Sequence, residues 1–356
     1  MSRKPSEKDV LALLALMRDE HDNDVLSIML DDLVWSVAKL DHRFRARVLV
    51  HAAATVGTRR MTPTLAREVF QQLDDWPVER GSVDFAVVTV KDTEFDAAKV
   101  AFGIDLLSDS DHSWRGASFY EVTLERPGKR ALKGVVTTCG EGGNQQMAAF
   151  LHTVLSVYTV RLCCLVGMAA GQEKEVDLGD VVFAERVTDY GLKITTTDGD
   201  QRELPQFTPD PAIRREMSSF HPERLGWHDD LAQQIAKAVE RVPMLRMPQS
   251  FIPSEYRPRF FRKTILAADE LIEDGSIRVR ASTAGPARRT GALEMEGTGF
   301  ARANQEAKVP WLVVRGIADF GHSDRSKDWQ LVSTVAAASA LRLWLRSCKF
   351  LADDAS

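Results

Sequence analysis

Between Ala292 and His322 the chain reads ALEMEGTGFARANQEAKVPWLVVRGIADFGH. Small residues from Gly297 to Ala307 predict a helix that can pack closely, and Val309-Pro310 ends it. The run from Trp311 to Ile317 is apolar and strand-length, as expected of a strand buried on both faces. Asp319 falls where that strand ends, and a short acidic segment, Glu294-Met295-Glu296, stands ahead of the helix. In open α/β sheets ligands bind outside the carboxyl ends of strands. The carboxylates at the two ends of this unit are therefore expected to face one pocket.

The rest of the chain divides at residues 77–81, a polar stretch with proline and glycine that reads as a linker. Before it, residues 1–76 show apolar residues at helical spacing, such as Val25, Ile28, Met29, Leu33 and Val37, with no strand pattern. They predict a small all-α domain. After it, residues 82–350 alternate strands and helices. Val83 to Val90 is a strand with a helix beginning near Asp92 or Thr93. Phe119–Leu124 and Leu132–Thr138 flank Arg126-Pro127-Gly128-Lys129 and predict a hairpin. A helix is expected over Asn144–Tyr158 and a buried strand over Arg161–Val166, leading into a loop, Gly167 to Gly171. Strands are expected at Val181–Ala184 and Lys263–Ala267, and a long amphipathic helix over Ser326–Cys348. Residues 196 to 260 resist assignment. The pattern predicts an α/β domain with a mixed, mostly parallel sheet wrapped by helices.

Several function classes are excluded. Hydrophobic residues at 44% and charged residues at 27% are ordinary for a soluble protein, and a formal charge of -5 supplies no basic field for nucleic acid. No apolar run approaches the ~20 residues needed to cross a bilayer, and the charged start MSRKPSEKDV is not read as a signal peptide. Cys139, Cys163, Cys164 and Cys348 lack metal-type spacing, and the histidines form no ligand cluster. Free thiols in a reducing cytoplasm, no metal and no cofactor are the expectation.

The Ala292–His322 stretch resembles the signature of the nucleoside phosphorylase and nucleosidase superfamily, close to "MEG/MEA…VVRGISD". VGMAAG at 166–171 with LGDVV at 178–182 is similar to the family's "GxAGG…GDVV", and TVKDTEFDAA and CGEGGNQQMAA keep the family order. The resemblance covers about three quarters of the chain and implies a three-layer α/β/α domain that cleaves a purine N-glycosidic bond. It makes Asp319 the acid at purine N7, a task that burial beside an apolar strand would favour. It makes Glu296 the acceptor for the ribose 2′- and 3′-hydroxyls, Met295 a packing residue against the sugar, and Glu294 an orienting neighbour. Glu94 matches the glutamate that acts on the attacking water, though a first-turn acid on the helix dipole is an equally simple reading. The backbone of Met168, Ala169 and Ala170 would line the ribose, and Leu271 and Ile272 fall where the family stacks an aromatic on the base.

Phosphorylases of the superfamily carry arginine in the turn after the first strand and another before the glycine-rich segment. Here the turn reads Lys91-Asp92-Thr93-Glu94 and Leu165 precedes Val166, which favours hydrolysis. On the 5′ side, SEYRPRFFRK supplies Arg257 and Arg259, whose forked guanidinium groups suit phosphate, although a solvated face has the same composition. The expectation is an adenine nucleotide of the AMP or ATP type. The rivals are a methylthioadenosine or adenosylhomocysteine nucleosidase, a purine nucleoside phosphorylase, and a catalytically silent nucleotide sensor. An added helical unit resembles bacterial antiphage effector nucleosidases. That resemblance implies an activating protein or second messenger acting through residues 1–76, while the superfamily resemblance implies a homo-oligomer (dimer or hexamer).

Overall fold

The computed structural model describes residues 81–352, apart from 115–116, 192, 197–198, 203, 242–246, 250, 271–273, 275, 277–288 and 324–326. The helical unit expected over residues 1–76, and all but the last residue of the linker, lie outside the described residues.

Strands apolar on both faces build the frame. β1 (Phe85–Thr89) is buried at every position and leads into α1 (Asp92–Phe102). β2 (Ala117–Leu124) and β3 (Leu132–Thr138) form the expected hairpin, antiparallel with Leu124 opposite Leu132. Next come α2 (Asn144–Val157), β4 (Cys163–Gly171) and β5 (Val181–Asp189). Two helices, α3 (Pro211–Ser219) and α4 (Trp227–Arg241), arise in the segment that resisted assignment. The chain then supplies β6 (Phe260–Ala267), β7 (Thr290–Glu294), α5 (Gly297–Glu306), β8 (Trp311–Asp319) and α6 (Gln330–Ser347).

The fold is mixed α/β, as expected, but the strands do more than form an open sheet. β1 lies between β3 and β4 and is parallel to both. β4 pairs parallel with β8 and antiparallel with β7, β7 pairs parallel with β6, and β6 parallel with β5. β5 then pairs antiparallel with β8, so β4, β7, β6, β5 and β8 close into a ring. Closure satisfies the backbone of residues 167–171, which the sequence reading gave as a loop. Gly171 faces Ala292, Ala170 faces Leu293, and Met168 pairs with Gly316. Small side chains there do not break the strand, because partners on both sides override weak intrinsic propensity.

The last helix also departs from expectation. Every residue of α6 from Leu331 to Leu341 is buried, because its second face carries alanine, serine and threonine rather than charge. A helix apolar all round belongs inside. Trp344 at its far end meets Phe183 of β5 edge to face, and Phe260 and Phe220 complete that aromatic cluster.

β8 and α6 approach closest at Gly316. A methyl group there would strike the Ser333 backbone carbonyl, which cannot swing aside like a side-chain tip. Gly316→Ala should therefore cost about 1–3 kcal/mol or more, read as a lower midpoint in thermal or denaturant unfolding. An unchanged midpoint would show that this contact is loose.

Candidate active site

At the centre of the ring-facing acids lies Arg315, a charged residue in the middle of an apolar strand and 0% exposed. Taking an isolated guanidinium out of water is prohibitive, so it must be paired. Its Nη2 donates to Glu294 Oε2, and also to Glu296 Oε2 at 3.2 Å. Its Nη1 stands 3.9 Å from Glu94 Oε1. Three carboxylates from two distant parts of the sequence thus converge on one cation.

Each carboxylate is placed by a different local device. Glu94 is the third residue of α1, where a glutamate can reach back over the helix start. Its Oε2 accepts from the Val90 and Lys91 amides, both at 3.0 Å. Its Oε1 accepts from the Met168 amide on β4 at 2.8 Å. The helix-acid and site-acid readings of Glu94 are therefore compatible: one oxygen caps, the other turns inward. Gly167 makes room, since a Cβ there would overlap both Arg315 and Glu94.

Glu294 ends β7 and accepts from the amides of Glu296 and Gly297, at 3.0 and 2.8 Å. It thereby satisfies orphan donors at the start of α5. Glu296 occupies the N-cap position itself but makes no capping bond with its side chain. That side chain is left to accept from Arg315 and from the Gly143 amide at 3.2 Å. One glutamate of the pair caps the helix and the other faces the cavity.

Asp319 is the last residue of β8 and is half-buried. Its Oδ1 accepts from the Gly321 amide at 2.8 Å, which fixes the carboxyl plane in the strand-to-loop turn. It lines a cavity of ≈ 540 Å³ together with Glu94, Met168, Ala169, Ala170, Glu294, Met295 and Glu296. That size falls in the range of small-molecule sites. A second cavity, ≈ 810 Å³, adjoins at Glu270 and is edged by Asp269 and Asn144. Asp269 caps α2 by accepting from the Asn144 amide at 2.7 Å.

Leu271 and Ile272 lie outside the described residues. Neither Arg257 nor Arg259, expected on the 5′ side, is among the residues lining the cavity. The Arg257 guanidinium donates to the carbonyls of Ser254 and Tyr256, and that of Arg259 to Asp177 and Asp180. Their charge is engaged in holding the approach to β6. Sequence reading missed Gly142, Lys91, Lys327, Gln330 and Glu270, which also line the cavity. The last three lie on or beside loops, where no period marks a side chain as inward.

The electrostatics follow from three acids sharing one base in a desolvated setting. Burial pushes Glu94 above its usual carboxylate range, and the Glu296 charge adds to this, against the pull of Arg315 and the amides. Burial raises Glu294 to about 7 for the same reasons. Arg315 is disfavoured by burial, yet its carboxylates outweigh that and raise it further. The sign for stability is definite. A carboxyl whose folded pKa is raised binds protons more tightly when folded, so its contribution is complete below the unfolded value of 4.5. It is lost as pH rises through the folded value. The unfolding midpoint should therefore fall between about pH 5 and pH 8, and Glu294→Gln should flatten that slope. A midpoint rising over this range, unaltered in the variant, would contradict the assignment.

A profile of the phosphorylase superfamily matches residues 111–348. The chain is 27% identical over 258 residues to "ATP nucleosidase Cap17" of Escherichia coli, covering 71% of this chain and 49% of that protein. It is 26% identical over 192 residues to a 5'-methylthioadenosine/S-adenosylhomocysteine nucleosidase of Mycobacterium bovis, covering 52% and 69% respectively. The chain spans about half the length of the Cap17 relatives it matches. Among solved structures, the methylthioadenosine/adenosylhomocysteine nucleosidase of Neisseria meningitidis superposes with a TM-score of 0.52. The identity is 16%, over 74% of this chain and 99% of that one, a likeness of fold. With the profile spanning most of residues 82–350 and the acids gathered on one cavity, the chain belongs to the phosphorylase superfamily.

Proposed function

We propose that the protein is an N-glycosidase that hydrolyses an adenine nucleotide of the AMP or ATP type, releasing adenine and the ribose phosphate. The observation that carries this reading is the convergence of Glu94, Glu296 and Asp319 on one cavity, from β–α units whose strands β1 and β8 are both parallel to β4. Likeness to an ATP nucleosidase supports the choice of substrate.

The chemistry follows from the placement. Glu296, with one oxygen on the Gly143 amide and the other on Arg315, keeps lone pairs for the two ribose hydroxyls. Glu94, raised by burial, is a stronger base than a surface glutamate and takes a proton from water as its oxygen bonds to ribose C1′. The bond from C1′ to purine N9 breaks, and its electron pair stays on the base. Asp319 delivers a proton to N7, so adenine leaves neutral. Positive charge growing on the ribose is met by the carboxylates around Arg315. Both arginines that mark phosphate as nucleophile in the superfamily's phosphorylases are absent from the sequence positions concerned, and Leu165 is buried in β4. Water is therefore the nucleophile in this reading. Residues 1–76 would act as the sensing or recruiting part of an antiphage effector in the same cytoplasmic, oligomeric setting.

Chromatography of reactions with ATP, AMP, adenosine, methylthioadenosine and adenosylhomocysteine in phosphate-free buffer tests this directly. Free adenine is expected from the nucleotides. Asp319→Asn and Glu94→Gln should each lower its rate by about 10²–10⁴-fold. Adenine from the thioether nucleosides alone would replace the substrate, and dependence on added phosphate would replace the nucleophile.

A further inference from the structure

We infer that Lys327, assisted by Lys91, is the phosphate-reading element of this cavity and sets selectivity for a 5′-phosphorylated substrate. The inference rests on the nucleotide reading above but is carried by separate observations.

Among the described residues lining the ≈ 540 Å³ cavity, the cationic side chains are Lys91 and Lys327. Both are exposed, and neither has a carboxylate partner among the described residues. Other basic groups are committed elsewhere: Arg259 to Asp177 and Asp180, Lys263 to Glu175, and Arg315 to the acids. Arg262 donates to Ser218.

Topology puts the two lysines at one end of the molecule's frame. Lys91 follows β1 and is the N-cap residue of α1, while Lys327 follows β8 and precedes α6. β1 and β8 are both parallel to β4, and α1 packs on α6. The amino ends of these helices therefore lie on the same side, where strands deliver their carboxyl ends. The first turn of α6 holds no acidic side chain, and its first residue, Gln330, lines the cavity.

The charge balance gives these lysines a task. Glu94, Glu294, Glu296 and Asp319 line the same space, and a polyanion entering it would be repelled without cations at the rim. An ammonium on a flexible stem suits a phosphate chain as a point charge. A nucleoside lacking phosphate would gain nothing from it. The class of ligand is thus a 5′-mono- or triphosphate of a purine nucleoside, as opposed to free phosphate acting as the nucleophile.

The test is equilibrium binding of ATP, AMP and adenosine to the full chain carrying Asp319→Asn, which keeps ligand intact, with and without Lys327→Ala, Lys91→Ala or Lys327→Arg. Lys327→Ala should weaken ATP by about 10- to 100-fold and adenosine far less, with Lys91→Ala weaker in the same direction. Lys327→Arg should retain most of the preference. Parallel losses for ATP and adenosine, or no loss for ATP, would overturn the inference. A second arm adds inorganic phosphate to the protein with Asp319 intact. Phosphate that speeds adenosine cleavage only when Lys327 is present would assign the lysine to a free nucleophile and likewise overturn it. If the protein binds ATP through Lys327 yet releases no adenine, the phosphate reading stands and the hydrolytic one falls.

Discussion

Arg315 is the group on which the structure turns. A guanidinium with no exposed surface survives only when anions surround it, and the anions come from α1, from the end of β7 and from the start of α5. Pairing therefore ties the first β–α unit to the last strands of the ring. It also explains why Gly167 sits beside the cluster, since any side chain there would enter the space of Arg315 and Glu94. Removing one partner would leave buried charge uncompensated, which is costlier than the pair itself is stabilising.

The same cluster links stability to chemistry. Acids crowded round one base hold protons more tightly than solvated acids do, which suits Glu94 to the base role in the proposed reaction. The Glu294-Met295-Glu296 spacing divides labour at a strand end. Glu294 satisfies the amides that open α5, so Glu296 is free to turn toward the cavity.

Much of this was legible before any tertiary contact. The strand over Trp311–Ile317 and the helix over Gly297–Ala307 followed from apolar runs and their breakers, and Asp319 at the strand end followed with them. The hairpin followed from Arg126-Pro127-Gly128-Lys129 between two β-rich runs. The acids Glu94, Glu296 and Asp319 were marked by motif, and the cavity collects all three. Less legible were residues 167–171, whose small side chains read as loop until pairing on both edges made them strand. Arg257 and Arg259 misled because composition carries no direction, and Asp177 and Asp180, some eighty positions earlier in the sequence, claim Arg259.

By itself the sequence determined the order of strands and helices, the apolar strands that demand burial on both faces, and the identity of the acids. Those are matters of local period and residue chemistry, which neighbours along the chain suffice to express. Only the tertiary structure decided that five strands close into a ring, that one arginine binds three glutamates, and that Lys91 and Lys327 share a rim. Those depend on which distant backbones pair, and pairing is settled by the common burial of surfaces that are far apart in the chain.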